Sequence, residues 1–152
     1  MIDAVMQWFG QRAPACGGSV LEVGSYNVNG SVRPLFKGQP YIGLDMRAGP
    51  GVDVVADVLT HEFEDGQFGT IVSTETLEHC AEPWTAIERM GRWLAPGGKM
   101  LISVPFRFDF HEFPSDYWRF THEGLRLLFE RAGLTTLEAE IIDSHAYGVA
   151  TK

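Results

Sequence analysis

The chain has 152 residues, 45% of them hydrophobic and 21% charged, values that suit one folded domain over residues 1–152 rather than a disordered chain. Twelve Lys and Arg stand against twenty Asp and Glu, for a net charge of −8, and no two basic residues are adjacent, so the footprint of a nucleic-acid binder is missing. No apolar run nears the roughly 18 residues of a membrane span, no early Lys or Arg marks a secretory signal, and Cys16 and Cys80 show no paired spacing, so a reduced, cytoplasmic protein with no membrane partner is expected.

In chain order, Ile2, Val5, Met6 and Phe9 recur at helical spacing and predict an amphipathic helix, broken at Pro14 and Gly17-Gly18. Short Val-, Ile- and Leu-rich runs predict strands near 19–23, 41–45, 52–56, 69–73 and 99–104, as in a sheet covered on both faces. Between the first two, residues 31–36 suit one short helix with Pro34 in its first turn, and residues 46–51 read as a loop. Pro83 opens a helix whose apolar face is Trp84, Ile87, Met90 and Leu94, stopped by Ala95-Pro96-Gly97-Gly98. Thr121 caps another, carrying Leu125, Leu128, Phe129 and Ala132 on one face and ending at Gly133. Residues 135–142 form a sixth strand. Only ten residues follow, so a shortened or missing seventh strand is expected, with an open sheet edge that invites pairing into a homodimer.

Strands alternating with helices predict an α/β fold with a doubly wound, mostly parallel, Rossmann-like sheet. Three of its early turns carry an acid: Glu22 beside Gly24, Asp45, and Asp57 after Ala56. Turns at the carboxyl ends of such strands line the ligand crevice, so three carboxylates converge on one small molecule. A dinucleotide needs G-x-G-x-x-G there; Tyr26 and Asn29 occupy the second and third glycine positions, and Glu22 would repel a pyrophosphate. An acid ending an apolar strand also needs something to satisfy it. Asp57 is weaker evidence, since an Asx turn alone explains an aspartate at a strand end.

Leu21-Glu22-Val23-Gly24, Asp45, Ala56-Asp57, Phe68-Gly69-Thr70-Ile71-Val72-Ser73 with Leu77-Glu78-His79, and Trp93-Leu94-Ala95-Pro96-Gly97-Gly98-Lys99 together resemble the class I S-adenosylmethionine-dependent methyltransferases over residues 18–135. The Leu77-Glu78-His79 and Leu94–Gly98 segments resemble the branch acting on small molecules and glycans. That resemblance implies S-adenosyl-L-methionine as cofactor and a small-molecule or glycan acceptor. It places Glu22, Gly24, Ser25 and Tyr26 at the methionine end and Asp45 on the ribose hydroxyls. Met46 and Val58 then lie against the adenine, Asp57 near its amino group, and Thr74 and Glu75 where methyl and acceptor meet. Tyr26 departs from the family's usual glycine.

Residues 106–121 pack seven aromatics and eight charged, His or hydroxyl side chains into sixteen positions. A long loop without helical periodicity after the fifth strand is placed over the crevice. Its His111-Glu112-Phe113-Pro114-Ser115-Asp116-Tyr117-Trp118-Arg119-Phe120-Thr121 resembles a signature of methyltransferases of surface-sugar pathways. Asp116, Tyr117 and Arg119 are expected to face the acceptor, with Phe110 and Phe113 excluding water and Trp118 and Phe120 anchoring the loop. His111, and after it His79, are the candidate catalytic bases, because histidine titrates near neutrality; a role for His79 in holding its loop competes with that. His79-Cys80 is adjacent, a spacing that seldom puts two side chains on one ion, so no metal is expected. Two alternatives to the enzyme stand: a non-catalytic module that binds the same cofactor, and a nucleotide-dependent oxidoreductase.

Overall fold

Five strands run parallel in the computed structural model, which describes residues 3–152. They are β1 (Val20–Val23), β2 (Tyr41–Asp45), β3 (Val54–Val55), β4 (Phe68–Thr74) and β5 (Leu94–Pro105). With β6 (Thr135–Ile142) and β7 (His145–Thr151) the sheet has seven strands in the order β3-β2-β1-β4-β5-β7-β6. The order reverses between β1 and β4, so the crevice outside their carboxyl ends is where an α/β sheet takes a ligand. The mostly parallel, Rossmann-like reading holds.

The shortened or missing seventh strand is corrected. β7 is seven residues long, lies inside the sheet, and pairs antiparallel with both β5 and β6. The free edges are therefore β3 and β6, and the open edge that suggested a homodimer is filled. Two other strand limits move. β3 shrinks to two residues, with Val52 in a turn that returns its amide to the Gly49 carbonyl. β5 instead starts at Leu94, because Pro96 and the two glycines sit in a bulged opening stretch paired near Phe68.

Both faces are covered. On one, α2 (Pro83–Trp93) and α3 (His122–Arg131) bury Ile87, Met90, Trp93, Leu125 and Phe129 against Leu21, Ile71, Met100 and Ile102. On the other, α1 (Asp3–Arg12) and a 3-10 turn at Arg33–Phe36 pack Val5, Phe9 and Phe36 onto Val20, Val72 and Leu101. Each such side chain contributes about 1.5–3 kcal/mol on leaving water. The α1 face matches the sequence pattern, and its first position, Ile2, lies outside the described residues. Trp84 is only half-buried and meets Trp118 edge-on at 5.7 Å, so the buried face of α2 runs through Ala86 and Ile87 instead. Thr121 caps α3, its Oγ1 accepting from the Gly124 amide at 3.0 Å, and Gly133 ends it at φ +73°. Among the described residues no helix is long and apolar enough to cross a membrane.

Candidate active site

A cavity of about 320 Å³ opens at the carboxyl ends of β1, β2 and β4. Glu22, Asp45 and Asp57 all line it, as do Gly24, Ser25, Tyr26, Met46, Val58, Thr74 and Glu75. The ten residues expected at a cofactor thus meet around one space.

Alternation along β1 puts Leu21 and Val23 in the core of one face and turns Glu22 to the other, where it is 3% exposed. The Tyr41 hydroxyl donates to its Oε2 at 2.8 Å. Burial lifts the Glu22 carboxyl to about 7, against the pull of Tyr41 and, more weakly, Arg33. A carboxylate so placed gains most from a cation arriving in the cavity. Gly24 follows at φ +82°, and a Cβ there would stand 2.0 Å from Thr76 Oγ1, so the β1 turn closes against the β4 turn only with glycine.

Asp45 accepts the Tyr26 amide on Oδ2 at 3.1 Å and the Arg47 amide on Oδ1 at 3.0 Å. Those bonds fix the carboxylate and leave acceptor capacity on both oxygens. Asp57 does form the Asx turn, its Oδ1 taking the Leu59 amide at 2.8 Å, while still lining the cavity. Met46 is 64% exposed at the rim.

Tyr26, the departure from the glycine pattern, lies against Gly49, where a Cβ would come within 2.2 Å of its ring. The Arg47 guanidinium stands 4.9 Å over the Tyr26 ring and 3.8 Å over the Phe113 ring. Phe113 and Pro114 line the cavity from the aromatic loop. Arg47 therefore ties the β1 turn, the β2 turn and that loop together by cation–π contact, a role with no signature in a lone arginine.

The loop returns its main chain to the Leu77–His79 turn after β4. The amides of Tyr117 and Trp118 donate to the Glu78 carbonyl, and Trp118 Nε1 donates to the Cys80 carbonyl at 2.8 Å. Phe120 is buried, so these two aromatics anchor the loop. His79 lines the cavity, with Nδ1 against the Ser115 carbonyl and its pKa lowered, chiefly by burial. His111 meets the His79 ring edge-on at 4.9 Å and places Nδ1 3.0 Å from the Asp109 carbonyl.

Asp116 and Arg119, expected at the acceptor, hold each other. Arg119 Nη1 and Nη2 donate to Asp116 at 2.6 and 2.8 Å, and the remaining donors reach the Phe108, Asp109 and Trp118 carbonyls. All five guanidinium donors are occupied within the loop. The Asp116 side chain is 1% exposed, takes the His111 amide as well, and is held well below the usual carboxylate range, first by the Arg119 hydrogen bond. Tyr117 is exposed, away from the cavity lining.

Glu78 escaped the sequence reading as a functional group. Its side chain is wholly buried, both oxygens lack a hydrogen-bond partner among the described residues, and burial followed by the neighbouring Glu75 pushes its pKa well up. Glu75 itself sits at φ +47° at the end of β4, with Oε2 3.1 Å from His145 Nε2.

Comparison with known proteins finds methyltransferases among both relatives and solved structures. Residues 36–102 match the family described as "Methyltransferase domain". The ubiquinone biosynthesis O-methyltransferase of Pseudomonas putida is 29% identical over 115 residues, covering 65% of this chain. The chain spans about half the length of the curated relatives it matches, 49% in that case. Among solved structures, the 1,6-didemethyltoxoflavin-N1-methyltransferase of Burkholderia thailandensis superposes with a TM-score of 0.81 at 18% identity, over 99% of this chain and 79% of its own. The [4+2]-cyclase SpnF follows at 0.79 and 16%, over 99% and 80%, so the fold by itself does not dictate the reaction. Motif order, the three-carboxylate cavity and the match over residues 36–102 all make this chain similar to class I S-adenosylmethionine-dependent methyltransferase domains.

Proposed function

We propose that this domain transfers the methyl group of S-adenosylmethionine to an oxygen of a small-molecule acceptor. The observation that carries the reading is the convergence of Glu22, Asp45 and Asp57 on one cavity. Glu22 takes the ammonium of the methionine part, Asp45 the two ribose hydroxyls, and Asp57 the adenine amino group, with Met46 and Val58 against the ring. The sulfonium methyl then lies toward Thr74 and Glu75, beneath Phe113. An oxygen acceptor is supported by the O-methyltransferases among the relatives.

The reaction is an in-line displacement. An oxygen lone pair attacks the methyl carbon, the C–S bond breaks, and its electron pair stays on sulfur as the neutral thioether of S-adenosylhomocysteine. Holding the partners in line is worth about 7–11 kcal/mol. The acceptor hydroxyl must also lose its proton, and the candidate groups are His79, which lines the cavity, and His111, which lies outside the lining and packs edge-on against His79.

Titration of the chain with S-adenosylmethionine, S-adenosylhomocysteine and NAD tests the reading. Ligand at 100 times its Kd should stabilise the fold by about 2.7 kcal/mol. Stabilisation by the first two and methyl loss on a panel of phenolic and sugar hydroxyls are expected. Stabilisation by NAD alone overturns the cofactor; cofactor binding with no methyl loss leaves a binding module.

A further inference from the structure

Glu78, His79 and His111 present one carboxylate and two imidazoles whose ligand atoms all lie within 4.8 Å of one another. His79 Nε2 is 3.6 Å and His111 Nε2 4.0 Å from Glu78 Oε1. Both distances exceed a hydrogen bond. They come near the spacing of two ligands that share one ion, since atoms about 2.1 Å from a tetrahedral cation stand roughly 3.4 Å apart, and a small inward shift of His111 would close the difference.

The outer contacts have the same sense. Each imidazole turns Nδ1 to a main-chain carbonyl, Ser115 for His79 and Asp109 for His111. Donation from Nδ1 leaves the Nε2 lone pair facing Glu78, the tautomer and orientation that metal-ligating histidines take from their outer partners. Glu78 is fully buried and both oxygens lack a hydrogen-bond partner among the described residues, an arrangement that a buried carboxylate seldom keeps without a cation or a donor. Glu75 and Asp116 add negative charge close by, and Arg119 is occupied by Asp116.

We propose that Glu78, His79 and His111 bind one divalent transition-metal cation of the zinc, cobalt or manganese kind beside the methyl-transfer site. A mixed imidazole–carboxylate set suits such ions. His79 also lines the cavity, which puts the cluster next to the acceptor end. The cation's task rests on the methyl-transfer reading; its binding does not. There the acceptor hydroxyl coordinates and ionises, its proton leaves to solvent water, and the metal-bound oxygen keeps the lone pair that attacks the methyl carbon. The two imidazoles then act on the acceptor's proton through the cation rather than as bases.

The test is isothermal titration of the chelator-treated full chain with zinc and manganese chlorides, with S-adenosylhomocysteine affinity measured in parallel and cobalt absorption reporting coordination. One cation per chain at micromolar or tighter Kd is expected. Glu78→Gln and His111→Ala should each weaken it at least tenfold while S-adenosylhomocysteine affinity changes less than twofold. His111→Ala, on a partly exposed loop, guards against a fold defect in the buried variant. No cation uptake by a folded chain that binds S-adenosylhomocysteine overturns the site, as does uptake that both variants leave unchanged. Failure to bind S-adenosylhomocysteine, with metal uptake intact, would instead strike the methyl-transfer reading.

Discussion

The Tyr41 hydroxyl and the Glu22 carboxylate share a 2.8 Å hydrogen bond on the α1 side of the sheet. Burial dominates there and raises the Glu22 carboxyl from 4.5 to about 7. Between those values the folded chain holds a proton that the unfolded chain has released. Glu22 therefore favours folding fully below pH 4.5, and that contribution falls away as pH rises toward 7. The displacement corresponds to about 3 kcal/mol. Urea unfolding at pH 5 and pH 8 should show a steeper loss in the parent chain than in Glu22→Gln. Equal pH dependence in the two chains would remove Glu22 from this role.

A cation in the cavity reverses that preference. If Glu22 takes the ammonium of the cofactor, binding selects the ionised carboxylate, so below pH 7 the ligand must drive a proton off. Affinity for S-adenosylhomocysteine should then rise between pH 5.5 and 7, by up to about tenfold per pH unit, and flatten above. Calorimetry at pH 6 in two buffers of different ionisation enthalpy should report net proton release. Glu22→Gln should abolish that release and weaken binding.

Gly24 meets two separate requirements, a positive φ and the close approach of Thr76. Gly24→Ala should lower stability by about 1–2 kcal/mol for the backbone and about 1–3 kcal/mol more for overpacking. In a Thr76→Ala background the nearest atoms, Oγ1 and Cγ2, are gone, so the second part should shrink while the first remains. Thermal unfolding of the four chains separates them; full additivity of the two substitutions would show that Thr76 is not the obstacle.

The carboxylates Glu22, Asp45 and Asp57 were legible because each ends a short apolar run, and strand ends in a parallel sheet share one crevice. The Thr121 cap was legible for a local reason too. β7 was not: His145-Ala146-Tyr147-Gly148-Val149-Ala150-Thr151 is rich in small residues, because α3 lies directly on it, and a Cβ on Gly148 would stand 2.7 Å from the Phe129 ring. Small residues pack helix to strand without the branched signature of a strand. Arg47, Glu78 and the inward pairing of Asp116 with Arg119 were hidden for another reason. For Arg47 and Glu78 the neighbours arrive only when the loop at residues 106–121 folds back, a long-range event no spacing encodes, whereas Asp116 and Arg119 are three residues apart and their spacing does not say whether they face each other or a ligand.

That loop supplies the last prediction. Asp116 is nearly sealed from solvent and takes both the Arg119 fork and the His111 amide, so its carboxylate is the loop's internal anchor. Lysine keeps the charge of arginine but lacks the planar fork and the remaining donors that reach the Phe108, Asp109 and Trp118 carbonyls. Arg119→Lys should therefore loosen residues 106–121 while leaving the sheet intact, at about 1–3 kcal/mol for the partly unsatisfied carboxylate. Hydrogen exchange should rise at the amides of His111, Tyr117 and Trp118, whose acceptors depend on the loop's closed path, and stay unchanged in β1 and β4. Because the fork serves the loop and not a ligand, S-adenosylhomocysteine affinity should fall less than its acceptor turnover. A variant with normal exchange in the loop but lost acceptor affinity would return Arg119 to direct contact with the substrate.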